Sequence, residues 1–341
     1  LGLVGMIDPV RNGVKELMTQ FHHAGIDTVM ITGDQSQTAY AIAKELELSR
    51  DEKLEILDSN NLNNLTPEAL AAVCDKVDVF ARISPSNKLQ IVQALQAAGQ
   101  VVAMTGDGIN DAPALKAANV GVAMGKSGTD VAREVADIII EDDRLETTII
   151  AVSRGRTIYN NIRKSVHFLL ATNLSEIIVM TTATTFGIGE PLNALQLLWL
   201  NLITDIFPGL ALALEAPEPD VLSRPPRNPD ESIIKTSDFG RIAFESANIS
   251  FGTLAAYSYG LMRYGMAAPQ ASSLAFLTLT TAQLLHTYSC RSEQHSAFSQ
   301  TKLPPNHYLN AAIAGSFALQ LLAIVFPPLR SLLRLAPIDL V

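Results

Sequence analysis

Two regimes of hydrophobic patterning divide the chain. Up to about Ser165, short apolar runs alternate with charged stretches of helical period; from Val166 onward, apolar stretches of roughly 20 residues follow one another. In the first regime the runs Thr28–Thr32, Val77–Ala81, Val101–Thr105, Val120–Ala123 and Ile138–Ile140 predict strands. The stretches Val10–Ala24, Thr38–Leu46, Pro67–Asp75, Ser86–Ala98, Ala112–Ala118 and Thr129–Val135 predict helices. Strand cores such as Val29-Met30-Ile31 and Val101-Val102-Ala103-Met104 are apolar throughout, as expected of a parallel sheet covered by helices on both faces. The alternation predicts a doubly wound α/β domain over residues 1–150, in which ligands bind beyond the C-terminal ends of the strands. Asp51–Asn64, rich in Asp, Glu and Asn, reads as a surface excursion. The opening Leu1-Gly2-Leu3-Val4-Gly5 reads as a strand entered midway, which suggests a segment of a longer polypeptide.

The second regime predicts an all-α membrane domain over residues 166–341, reached through a linker at 151–165. Five spans are expected, at Val166–Ile188, Ala194–Leu214, Ile242–Met262, Ser272–Ser289 and Tyr308–Leu329. Arg154, Arg156, Arg163 and Lys164 precede the first span, and Arg224, Arg227, Lys235 and Arg241 lie between the second and third. The short turn Gly187–Asn193 carries no Lys or Arg. By the excess of basic residues on the cytoplasmic side, the α/β domain and the long second connection face the cytoplasm of a multi-pass protein in a lipid bilayer.

Composition narrows the partners. The 341 residues carry a net charge of -9 and no basic patch interleaved with aromatics, so nucleic acid is not an expected ligand. The two cysteines, Cys74 and Cys290, lie in segments of different character and are expected as free thiols.

Candidate chemistry sits at the predicted strand ends. One strand runs into Thr32-Gly33-Asp34, and another into Thr105-Gly106-Asp107-Gly108-Ile109-Asn110-Asp111. Glycine in such turns lets backbone N–H groups approach an anion closely. Asp107 and Asp111 share one loop, and hard carboxylate oxygens suit Mg²⁺, which takes one or two of them beside substrate phosphate oxygens. Lys88, opening a helix after Ser84-Pro85, offers a compact positive charge to a phosphoryl group. Each feature alone is ordinary turn or surface chemistry; together they point to phosphoryl transfer. His22 and His23 read as solvated helix residues.

Ionisable groups also occur at membrane depth. Asn173 and Glu176 lie three apart in the first span, and Asn201, Thr204 and Asp205 share the second, with Asn201 and Asp205 four apart on one helical face. Pro208 lacks the N–H that an α-helix would direct to the carbonyl of Thr204, so that carbonyl is expected to be free. The asparagines alone could be interhelical hydrogen-bonding partners. Glu176 and Asp205 are not covered by that reading, because a charge at membrane depth is costly. Two carboxylates, amide oxygens and a carbonyl form an all-oxygen set suited to a hard cation such as Ca²⁺. His286 and the polar residues Thr280–Gln283 read as packing groups or as outer ligands, and Glu245 as interfacial.

These segments resemble the P-type ATPases, whose phosphorylation domain is a Rossmann-type branch of the haloacid-dehalogenase superfamily. Gly5-Met6-Ile7-Asp8-Pro9 with Arg11 is similar to the family's hinge segment, Thr32-Gly33-Asp34 to its phosphate-contacting turn, and Phe80-Ala81-Arg82 with Ser84-Pro85 and Lys88 to its lysine segment. Thr105 to Pro113 resembles the Mg²⁺ loop at every position. The resemblance implies Asp107 as the Mg²⁺ ligand, with Asn110 and Asp111 organising the loop. The family's nucleophilic Asp-Lys-Thr-Gly-Thr motif does not occur in this sequence, so the polypeptide by itself is expected neither to autophosphorylate nor to hydrolyse ATP.

Thr172-Asn173-Leu174-Ser175-Glu176 and Asn201-Leu202-Ile203-Thr204-Asp205 resemble the fifth and sixth helices of type II pumps, especially calcium-transporting ones, and Arg224-Pro225-Pro226-Arg227 resembles the connection that follows. Gln283 stands where two-site calcium pumps carry a glutamate, which implies one Ca²⁺ per cycle. The family cycle implies ATP as substrate, Ala151–Ser165 as the mechanical link, and the remainder of the pump as partner. Na⁺, Mn²⁺ or Mg²⁺ transport, a non-catalytic membrane regulator and a soluble phosphatase are the competing readings.

Overall fold

A computed structural model describes residues 9–50, 53–266, 268–293 and 303–338. The opening strand and the hinge residues Gly5 to Asp8 expected above lie outside the described residues. The chain forms two compact units: Leu1–Ser153 with Asp220–Pro229, and Arg154–Pro219 with Asp230–Val341.

In the first unit the elements run α1 (Val14–His23), β1 (Met30–Ile31), α2 (Ser36–Glu45), β2 (Ile56–Asp58), α3 (Ser59–Leu62), α4 (Pro67–Val73), β3 (Val79–Ala81), α5 (Pro85–Ala97), β4 (Ala103–Gly106), α6 (Ala112–Ala117), β5 (Val120–Met124), α7 (Asp130–Val135) and β6 (Ile138–Ile140). Their starts are written in local chemistry. Thr66 accepts from the Ala69 N–H ahead of Pro67, and Thr129 from that of Ala132. Ser84 and Asn87 form a reciprocal capping box that starts α5 and so fixes where Lys88 emerges.

The strands are all parallel, as expected, but they form two three-stranded sheets, ordered β1-β3-β2 and β4-β5-β6. Ile31 pairs with Phe80 and Leu57 with Phe80 in the first sheet, and Met104 with Gly121 and Val122 with Ile138 in the second. Strands β1 and β4 are not paired with each other, although Ile31 and Val102 pack against the same two apolar clusters. The segment Asp51–Asn64 is corrected here: it contains β2 and α3. Ile56 and Leu57 join the sheet beside β3, and Asp58 caps α3 by accepting from the Asn60 N–H. Two apolar residues suffice for an edge strand, and the surrounding acids and amides masked them.

Asp220–Pro229 belongs to this unit although it lies in the second long connection. Leu222 packs on the cluster that holds Leu17, Val79 and Ile149, and the Pro226 ring closes over Gly25, whose φ of +73° suits glycine.

The second unit continues from α8 (Thr147–Thr185) through α9 (Ala194–Leu200), a π-helical segment Asn201–Ile206, α10 (Phe207–Ala213), α11 (Thr236–Tyr264), α12 (Pro269–Ser289), α13 (His307–Val325) and α14 (Pro327–Leu332). Three helices among the described residues are long and apolar enough to cross a membrane: Thr147–Thr185, Ala194–Ala213 and His307–Val325. The expected third and fourth spans correspond to α11 and α12, whose 29 and 21 residues give lengths of about 43 and 32 Å at 1.5 Å per residue, but which are less apolar. Several of their hydroxyl residues are buried. Ser246 and Ser250 donate to the carbonyls of Ala171 and Ser175 at 2.9 and 3.0 Å, and Thr253 is fully buried. Small hydroxyl residues at helical spacing let α8 and α11 approach closely, which lowers hydropathy without exposing polarity. Both cysteines are buried and free, as expected.

Candidate functional sites

In the first unit, Thr32 leaves β1 into its turn, where the Thr32 hydroxyl donates to Asp34 Oδ2 at 2.8 Å and accepts from the Asp34 N–H at 3.1 Å. The next crossover is tied to it: the Arg82 N–H donates to the Asp34 carbonyl and that of Ile83 to the Thr32 carbonyl, each at 2.9 Å. Arg82 holds φ +57° to make this junction.

The second turn follows β4. Asp111 is buried, and its Oδ1 accepts from Lys88 Nζ at 2.6 Å while its Oδ2 accepts from the Gly108 N–H at 3.2 Å. The pair is shielded, with the two side chains 21 % and 10 % exposed, so the charge-assisted bond is worth more than a surface ion pair. Gly106 is required by close approach: a Cβ there would stand 2.6 Å from Asp111 Cβ. Asp107 and Asn110 are exposed, and the Asp107 carbonyl accepts from the Thr129 N–H at 2.8 Å. Among the described residues the Asp107 carboxylate has no hydrogen bond or ion pair, whereas Asp111 is committed to Lys88 and Gly108. An exposed, uncommitted carboxylate such as Asp107 is the kind of hard oxygen donor that Mg²⁺ accepts, whereas Asp111 is held within the loop.

Neighbouring acids shape the same end of the second sheet. Asp143, at φ +57°, accepts from the N–H groups of Lys126 and Ser127 at 2.8 and 2.7 Å. The bond from Lys126 is the leading cause that holds its carboxyl below the ordinary range, against a smaller opposing effect of burial.

In the second unit, α8 and the π segment bring their polar residues together. Asn173 donates to Asp205 Oδ2 at 3.5 Å and more closely, at 2.7 Å, to the Leu169 carbonyl. Glu176 and Asp205 are both buried, and Gln283 of α12 stands between them. Its Nε2 donates to Glu176 Oε1 at 3.1 Å, and its Oε1 accepts from the Thr204 hydroxyl at 3.1 Å. That hydroxyl has a single proton, for which the Leu200 carbonyl at 2.8 Å and Asp205 Oδ1 at 3.3 Å compete with Gln283. A cavity of about 300 Å³ opens beside this set, lined by Asn173, Glu176, Ile177, Met180, Thr181 and Leu197.

Asn201 is exposed and is not brought to the set, although Asp205 four residues on is buried. The π segment also sets the carbonyl of Ile203 against Pro208: where each carbonyl accepts from the N–H five residues on, Ile203 would need the N–H that Pro208 lacks, and Ser316 of α13 donates to it at 2.8 Å.

Sequence reasoning left Gln283 undecided between packing and ligand shell; an amide in the middle of an apolar helix was the available signal, and the structure buries it fully. It overlooked two buried ion pairs. Lys164 meets Glu218 at 2.6 Å, and Arg291 meets Glu215, which also accepts from Asn306 Nδ2 at 2.6 Å. It also left Glu245 at the interface, where the structure has His167, Arg241 and His286 around it at 2.6, 2.8 and 3.5 Å. Among the described residues no three His, Cys, Asp or Glu side chains form a group that would hold a metal ion.

Comparison with known sequences covers almost all of the chain. The family described as haloacid dehalogenase-like hydrolase matches residues 1–119, and the family described as Cation transporting ATPase, C-terminus, matches residues 189–341. The chain is 44% identical over 330 residues to a Calcium-transporting ATPase of Bacillus subtilis, which covers 97% of this chain and 37% of that protein. Calcium-transporting ATPase 1 of Bacillus cereus is 42% identical over 347 residues, covering 97% and 39% respectively. Human Calcium-transporting ATPase type 2C member 1 is 40% identical over 334 residues, covering 98% and 36%. The chain thus spans less than two-fifths of the length of these relatives.

Proposed function

We propose that this chain, similar over nearly its whole length to calcium-transporting members of the P-type cation-transporting ATPases, forms the Mg²⁺-side half of the phosphoryl-transfer site and part of the ion path of a calcium pump. The observation that carries the reading is the buried set in the second unit, where the Glu176 and Asp205 carboxylates are linked through Gln283 and Thr204 beside a cavity. All of its donors are oxygens or can present one, and two carboxylates supply the charge that a hard divalent cation needs. Asn173, Glu176, Thr204 and Asp205 are the ligands in this reading. Gln283 is neutral where a third carboxylate would add charge, which favours one Ca²⁺ per cycle. Asn201 enters only if the π segment turns.

In the α/β unit, Asp107 would hold Mg²⁺, which when bound offsets phosphate charge in the transfer from ATP. Thr32, Gly33 and Asp34 present a hydroxyl and backbone N–H groups at the end of β1, and Lys88 places its ammonium at the end of β4 through Asp111. Asn110 and Asp111 keep that loop in shape. Among the described residues β1 and β4 each have an unpaired edge, and these would accept a strand carrying the phosphorylated aspartate from elsewhere in a full-length pump. The protein is a multi-pass membrane protein in this reading. All five long helical segments of the second unit cross the bilayer, the inward-facing hydroxyls of α11 and α12 accounting for their lower hydropathy, and the α/β unit lies on the cytoplasmic side.

The test uses the full-length pump. Asp205→Asn should abolish Ca²⁺-dependent formation of a hydroxylamine-sensitive phosphoenzyme from ATP. Ca²⁺ dependence equal to that of the unaltered pump would refute the site.

A further inference from the structure

The span that carries Thr204 and Asp205 is not a regular helix, and its irregularity is held from outside. Through Asn201–Ile206 the hydrogen bonds run to the fifth residue on. Continuing that pattern, Ile203 would receive the N–H of residue 208, which is Pro208 and has none. Ile203 is buried, with 3% of its surface exposed, so its carbonyl cannot turn to water. Ser316, itself 1% exposed, fills the gap from α13 at 2.8 Å.

The same helix grips one turn earlier. Gln320, four residues after Ser316 and on the same face, accepts from Trp199 Nε1 at 3.1 Å. Trp199 and Ile203 are likewise four apart, so the two contacts straddle the start of the π segment. Gly315 and the alanines Ala311, Ala312 and Ala314 surround Ser316 in sequence and keep that part of α13 slender, as close helix approach requires.

We infer that Ser316 is a positioning residue for the cation site: by donating to the Ile203 carbonyl it keeps the π segment from relaxing to α-helix, and thereby sets the direction in which Thr204 and Asp205 point. This inference rests on the reading of that set as the cation site. Without the hydroxyl the π form loses its advantage over the α form. In an α-helix the Ile203 carbonyl accepts from the Phe207 N–H and no longer needs Ser316. Removing a one-residue bulge turns the residues on one side of it by about 100° relative to those on the other, the angle per residue of an α-helix. Thr204 and Asp205 lie at the bulge, so their contacts with Gln283 and Asn173 would be lost or lengthened. Ser316 touches none of these ligands; its effect passes entirely through the backbone of the neighbouring span.

The experiment compares unaltered full-length pump, Ser316→Ala and Ser316→Thr in lipid nanodiscs. The Ca²⁺ concentration for half-maximal phosphorylation should rise about tenfold in Ser316→Ala, the phosphoenzyme level at saturating Ca²⁺ should be kept, and Ser316→Thr, which retains the hydroxyl, should restore the affinity. Amide exchange in residues 201–209 should change in Ser316→Ala alone. If Asp205→Asn abolishes Ca²⁺ dependence while Ser316→Ala leaves the half-maximal concentration unchanged, the positioning role is overturned and the cation site stands. A loss of maximal phosphoenzyme with unchanged Ca²⁺ affinity overturns it too, since that is the signature of a merely structural defect. If the unaltered pump responds to no Ca²⁺, the cation reading fails. The exchange comparison then decides the backbone role alone, and unchanged exchange at residues 201–209 overturns it.

Discussion

Gly106→Ala adds one methyl group at the end of β4. The new Cβ would stand 2.6 Å from Asp111 Cβ and 2.9 Å from its Cγ, whereas carbon atoms pack at about 3.5–4.0 Å, so Asp111 must withdraw by roughly 1 Å. It is not free to do so. Its Oδ1 is held by Lys88 Nζ at 2.6 Å and its Oδ2 by the Gly108 N–H at 3.2 Å, and a shift of that size breaks both. Both bonds are to an ionised carboxylate, and a hydrogen bond to a charged group is worth about 1.5–3 kcal/mol, which gives a local loss of about 3–6 kcal/mol. Native-state amide exchange measures such local openings, and at 1.4 kcal/mol per factor of ten the amides of residues 103–117 should exchange roughly 100- to 20,000-fold faster. The control is Asp111→Gly. That background lacks the three atoms nearest the new methyl group, and Gly106→Ala should there cost less than about 1 kcal/mol, so the two substitutions are strongly coupled. Exchange within threefold of the unaltered protein in the single variant would refute the steric argument. So would an equal penalty in both backgrounds.

The Lys164–Glu218 pair, with side chains 3% and 4% exposed, predicts asymmetric costs: Lys164→Met alone should destabilise by about 3–5 kcal/mol because it takes the counter-charge from a buried carboxylate, while Lys164→Met with Glu218→Leu should recover most of that. Thermal unfolding in detergent reads this, and a double variant as unstable as the single would count against it. Asp143 predicts an acid-sensitive loop. Its carboxyl titrates lower in the folded chain than the unfolded value of about 3.9, so its contribution is complete above about pH 5 and is lost as pH falls through the folded value. Protection of the Lys126 and Ser127 amides should fall over that window. Asp143→Asn, which tolerates φ +57° and keeps an acceptor, should flatten the dependence; an unchanged slope would refute the assignment.

Much of this molecule is readable in one dimension because the relevant physics is local. The parallel strands follow from apolar runs such as Val120–Met124, the helix starts from Ser84 with Asn87 and from Thr66, and both Thr-Gly-Asp turns from strand-ending glycines. The intramembrane site is also legible as a set of types, since Glu176 and Asp205 are costly wherever an apolar helix places them. What periodicity cannot carry is any contact between distant residues or any local departure from the assumed period. Strand β2 holds its place through pairing with β3 against the polarity around it, and the sheet divides between β1 and β4, two edges alike in sequence. In the π segment the Ile203 carbonyl, set against a proline without an N–H, is met by a serine 113 residues away. Gln283 lies 107 residues from Glu176 and 79 from Thr204, yet joins them. Residue types state which charges and lone pairs must be satisfied; packing decides which partner satisfies each, because burial removes water as the universal alternative.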